Sequence, residues 1–117
     1  MLLPSITQFR RRRGRTKLPA AGPVGLTITG VHSNLVSVTI QFSGAVVWNG
    51  VDTPTEFKAV TDDGFLDSCI NVLSTGSNWI EVEFNAGVAV GAAWELQGPM
   101  AGITPSVSWP QSGSVTA

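Results

Sequence analysis

Tyrosine is absent from this 117-residue chain, cysteine and histidine occur once each, and charged side chains make up only 13%. Each scarcity closes a route. The lone Cys69 forms no internal disulfide, and with His32 alone beside it there is no zinc-ligand spacing, so no metal and no cofactor are expected. No apolar run approaches eighteen residues, so no segment reads as a membrane-spanning helix. Phosphate loops of the G-x-x-x-x-G-K-S/T type, H-E-x-x-H and the G-x-S-x-G elbow are all missing. With so few groups able to exchange protons or attack a carbon, a non-enzymatic role is expected.

The charge that is present is divided. Arg10, Arg11, Arg12, Arg13, Arg15 and Lys17 stand together near the start, with no acid in residues 1–23, a net +6. Residues 24–117 hold Lys58 alone against eight acids: Asp52, Glu56, Asp62, Asp63, Asp67, Glu81, Glu83 and Glu95, a net −7. The overall −1 describes neither part. A basic arm over 1–23 is therefore expected on an acidic body. The arm makes a poor export signal, because its charges follow Met1–Phe9, and the LPAAGPVGL after them is short and broken by proline.

From Val24 onward the hydrophobic period is two. In LVSVTIQF (35–42) Val36, Val38, Ile40 and Phe42 are expected to point inward, and Ser37, Thr39 and Gln41 outward. In NWIEVEF (78–84) Ile80, Val82 and Phe84 are expected inside, with Glu81 and Glu83 on a solvated face. Shorter strands are expected over 26–31, 56–61, 69–73, 92–97 and 106–109. Turn chemistry separates them: His32-Ser33-Asn34, Asn49-Gly50, Asp62-Asp63-Gly64, residues 74–78, then Gly87, Gly91 and Gly98-Pro99. No stretch of ten residues carries a helical period. About seven short strands predict an all-β, antiparallel β-sandwich over 24–98, with 99–117 as a C-terminal edge strand or extended tail, since Pro105 and Pro110 exclude a central strand.

Individual residues sort by the same logic. His32 reads as a turn residue rather than a general base, and Cys69, beside Ile70, as a packing thiol. Asp62, Asp63 and Asp67 miss the calcium-loop spacing and read as an ordinary turn. Trp94 is expected inside with Leu96. Trp48, Trp79 and Trp109 fall near turns or off the core phase, where tryptophan suits a protein interface or a sugar-stacking face.

The stretches LTITGVHSNLVSVTIQFSGAVVWNG, PTEFKAV and NWIEVEFNAGVAVGAAWEL resemble bacterial immunoglobulin-like domains of the surface-layer and adhesion type, with Ser37–Ser43, Phe57 and Trp79–Phe84 at the matching positions. That resemblance implies an immunoglobulin-like sandwich and a structural or adhesive role. The architecture of basic arm plus sandwich resembles structural proteins of icosahedral virions, including minor capsid, cementing and decoration proteins of bacteriophages. It implies a virion component whose arm docks on neighbouring subunits, through guanidinium–carboxylate pairs, or on packaged genome. Six phosphate contacts would give nucleic-acid binding a salt slope of about −5, with no sequence preference. Self-association and other virion proteins are the expected partners. The alternatives are a carbohydrate- or surface-binding sandwich module and a sequence-independent nucleic-acid-binding protein.

Overall fold

The computed structural model describes residues 25–117, which contain strands and turns and no helix. The expected arm, with Arg10–Arg13, Arg15 and Lys17, lies outside the described residues. Ten strands follow in order: β1 (Ile28–Asn34), β2 (Ser37–Phe42), β3 (Val47–Trp48), β4 (Phe57–Val60), β5 (Leu66–Ser68), β6 (Asn71–Thr75), β7 (Trp79–Glu83), β8 (Ala93–Leu96), β9 (Ile103–Thr104) and β10 (Gln111–Ser114). They build two four-stranded sheets, β1-β2-β7-β6 and β10-β8-β4-β5, and a small β9-β3 pair. Every ladder is antiparallel.

The two-residue alternation explains why these segments are strands. Val38 pairs with Val82 and Ile40 with Ile80, and all four are buried, because successive side chains on a strand alternate faces. From the second sheet Phe57, Ala59, Trp94 and Leu96 project into the same core. Phe57 is its hub: its ring stacks on Trp94 with centroids 5.6 Å apart, and tilts against Phe84 at 6.4 Å. Such contacts add about 0.5–1.5 kcal/mol each beyond area burial. Residues 99–117 feed the same interior, since Ile103, Val107 and Val115 are buried and β10 forms the edge of the second sheet.

Three sequence expectations are corrected. His32-Ser33-Asn34 is not a turn. β1 runs through Asn34, and the turn is Leu35-Val36, with Asn34 paired to Ser37. The pairing of buried Val31 with buried Ile40 sets that register, and it outweighs the turn preference of Ser and Asn. In consequence Val36 stands in the turn and is exposed rather than inward, while Ser37 faces outward as expected but is buried there beneath Glu81. Ser37 tolerates this because its hydroxyl donates to Glu81 Oε2 at 2.8 Å. Residues 106–109 are not a strand either; only Val107 makes a single bridge, to Leu26. The strand count exceeds the expected seven because β3, β5, β9 and β10 are two to four residues long, too short to show a period.

The expected turn at Asn49-Gly50 is present. Gly50 has φ +78°, and Asn49 Oδ1 accepts from the amides of Val51 (2.8 Å) and Asp52 (3.0 Å).

Candidate interaction surfaces

The sheets run between two ends. At one lie Gly25, the 43–56 and 97–110 connections, and the three tryptophans singled out from the sequence. Trp48 is half-buried against the core, and its indole N–H donates to the Asp52 carbonyl at 2.6 Å. Trp109 also packs on the core, with its indole nitrogen buried and without a partner among the described residues. Trp79 opens β7 on the outer face of the first sheet. Its indole lies over Gly76, where an added Cβ would stand 2.1 Å from Nε1. None of the three is freely exposed; the exposed apolar groups beside Trp48 are Val47 and Val51.

The outer face of the first sheet is polar and acidic. Its register places His32, Thr39, Glu81 and Ser74 in one row across four strands. Glu81 is held at both oxygens: Ser37 donates to Oε2 and Ser74 to Oε1 at 2.9 Å. His32 stands on β1 within 3.1 Å of Gln41 Oε1 through Nε2, and 2.8 Å from Thr116 Oγ1 through Nδ1. Thr116 Oγ1 also lies 3.1 Å from the Val31 carbonyl, to which it can donate. That arrangement anchors the C-terminal residues to β1.

The turn after β4 is the expected Asp-Asp-Gly, with Gly64 at φ +85°. Asp63 Oδ1 accepts from the Thr61 hydroxyl and from the Phe65 amide at 3.1 Å. These bonds, Thr61 first, hold the Asp63 carboxyl below its ordinary value. Asp67 Oδ2 lies 2.8 Å from the same hydroxyl. Among the described residues, no group of three His, Cys, Asp or Glu side chains is placed to hold a metal ion. Cys69 is buried at the passage from β5 to β6, near the Pro54 carbonyl (3.2 Å). Burial pushes its thiol up to about 12, which leaves almost no nucleophilic thiolate at neutral pH.

Two shallow clefts flank the second sheet. One of about 320 Å³ is lined by Glu56, Lys58, Ser68 and Gln97, and there Lys58 Nζ donates to Ser68 Oγ at 2.7 Å. The other, of about 280 Å³, follows the seam between β1 and β10, over His32, Trp94 and Gly113. Neither converges several ionisable groups on one point.

Sequence reasoning missed the opposite end. There the turns after β1 and β4 and the 84–92 loop display Leu35, Val36, Phe65 and Val90. The only signal was negative: apolar residues occupy positions where turns favour Gly, Asn, Asp and Ser. The chain matches no protein-family model, no curated protein and no solved structure.

Proposed function

We propose that this chain is a non-enzymatic structural subunit of a virion, of the minor capsid, cementing or decoration kind. In this reading an immunoglobulin-like body packs among neighbouring subunits and the Arg10–Lys17 arm docks on their acidic surface. The strand order supports the immunoglobulin-like part. With β1, β2, β4, β5, β6, β7, β8 and β10 taken as A, B, C, C′, D, E, F and G, the two sheets are A-B-E-D and G-F-C-C′.

The observation that carries the assembly role is charge separation. Six cations stand in the arm, while the body has eight carboxylates and one lysine, which bonds to Ser68. Guanidinium forks and carboxylates pair well across a partly desolvated contact, and a net −7 body repels a second copy unless a cation intervenes. Light scattering on the full chain at low and high salt tests this. The expected result is an oligomer that dissociates as salt rises and is absent when the six cations are replaced by glutamine. A wild-type chain that stays monomeric at every concentration and salt would refute it.

A carbohydrate-binding reading draws on one observation: Trp79 stands opposite Gln41 and two residues from Glu81 on the outer face. Binding to a glycan array that disappears in Trp79→Ala, from a monomeric protein, favours this second reading.

A further inference from the structure

We infer that the end of the body remote from Gly25 is a docking site for the arm of a second copy of this chain. The inference rests on the assembly role proposed above and names the surface that role requires. Three segments meet at this end. The Val88 amide donates to the Leu35 carbonyl (3.0 Å), the Phe84 amide to that of Val36 (2.8 Å), and the Asp62 amide to that of Gly87 (2.8 Å). Together they leave Leu35 77%, Phe65 68%, Val90 62% and Val36 47% exposed. Isolated surface apolar residues need no explanation, but four on adjoining turns form a patch of the kind that marks an interaction site.

Leu35 sharpens the point. It adopts φ +67° at the first position of a two-residue turn, where glycine is the ordinary choice. A leucine there is strained and also hydrated, so neither folding nor solubility favours it. Conflict between local preference and the fold is what a surface shaped by binding displays.

Charge identifies the occupant. Asp62 and Asp63 lie on the β4–β5 turn, and Asp67 and Glu83 on the strands that reach this end. A partner must offer cations and apolar groups in close succession. Residues 1–24 do so: Leu2, Leu3, Ile6 and Phe9 run directly into Arg10. The arm leaves the body at the other end, where Gly25 adjoins Ser106. Leu26, Thr27 and the seven residues of β1, the strand alone about 23 Å long, separate that root from the Leu35 turn. When two copies stack head to tail, the root of one arm stands beside the docking end of the next. The chain's own arm would instead have to run the full length of its own body. The contact is heterologous, so it propagates or closes into a ring.

The test uses full-length chains and analytical ultracentrifugation. One variant alters the docking end, Leu35→Gly with Phe65→Ser; the other replaces the six arm cations with glutamine. Urea unfolding of each checks that the fold is kept. Each variant alone is expected to associate at least tenfold more weakly than wild type. A mixture of the two is expected to form a one-to-one complex, since one supplies an arm and the other an intact end. Wild-type association in the Leu35→Gly/Phe65→Ser chain, with loss only in the arm variant, overturns this surface and leaves the assembly reading standing. Wild-type association in the arm variant overturns both. A mixture that stays monomeric shows that each arm serves its own body, which overturns the second-copy contact.

Discussion

A pair of substitutions at Leu35 measures the backbone strain that the docking argument uses. Leu35→Ala and Leu35→Gly both delete an exposed side chain, so the two variants differ only by a Cβ at φ +67°. A Cβ in the left-handed region costs roughly 1–2 kcal/mol, because it approaches the following carbonyl oxygen. Glycine loses roughly 0.4–1 kcal/mol through the greater freedom of the unfolded chain. The difference leaves glycine ahead by about 1 kcal/mol. With a urea slope of about 1–2 kcal/mol per molar for a domain of this size, the Leu35→Gly midpoint is expected about 0.5–1 M above that of Leu35→Ala. The measurement belongs at high salt, where the association proposed above is screened and does not shift the apparent stability. At an ordinary strand position the order is reversed, with alanine ahead. Equal midpoints, or alanine ahead, would show that Leu35 is not held in a left-handed conformation.

Two further outcomes concern ionisable groups. The Cys69 thiol is raised from 9.0 to about 12 by burial, so between those values the folded chain keeps a proton that the unfolded chain has lost. Stability is therefore expected to fall as pH rises from about 9 towards 12, by on the order of 1.4 kcal/mol per unit, and Cys69→Ala is expected to flatten that slope in urea titrations. Asp63 has the opposite sign: its lowered value means that its contribution is present above 3.8 and is lost as pH falls below it. Because the Thr61 hydroxyl is the main cause, Thr61→Val is expected to move the Asp63 titration upward when followed by NMR, and an unmoved titration would remove Thr61 from the account.

What could be read from the sequence was whatever a local window contains. Val38-x-Ile40-x-Phe42 and Ile80-x-Val82-x-Phe84 bury their alternate residues because a pleated strand allows nothing else, and the period is visible in seven letters. The first turn was misread because His-Ser-Asn has better turn chemistry than Leu-Val. Its position follows from the register between Val31 and Ile40, a contact that no window scores. The expected C-terminal edge strand forms at Gln111–Ser114 rather than at 106–109 for a related reason. Gln-Ser-Gly-Ser has no hydrophobic alternation and becomes a strand by pairing with β8, where Gly113 lies against Trp94 so closely that a Cβ would stand 3.0 Å from the indole. The candidate surfaces divide in the same way. The six cations of residues 10–17 are plain in the sequence, whereas Leu35, Phe65 and Val90 come from three separate segments that only the sheets bring to one end.

How the two sheets are joined bears on which parts of the body are free to associate. An exposed sheet edge is the usual liability of a small sandwich, because its unpaired amides and carbonyls accept another strand. Here both seams are stitched by consecutive residues that bond to different sheets. On one seam the Cys69 amide donates to the Phe57 carbonyl of the second sheet, and the next amide, Ile70, donates to Glu83 of the first. On the other seam the Val115 amide donates to Ala92, on the connection into β8 of the second sheet, and the next amide, Thr116, donates to Val31 of the first. Beyond the first stitch, the Val72 amide on edge strand β6 is already engaged, donating to the side-chain oxygen of Asn71 at 3.0 Å. Beside this first seam Leu66 of β5, Ile70, and Leu73 of β6 are exposed, so apolar surface lies along this edge as well as on the turns. In the assembly proposed above, charge sets the docking end apart from that edge, since Asp62 and Asp63 stand beside exposed Phe65 on one turn and call for a cationic partner there.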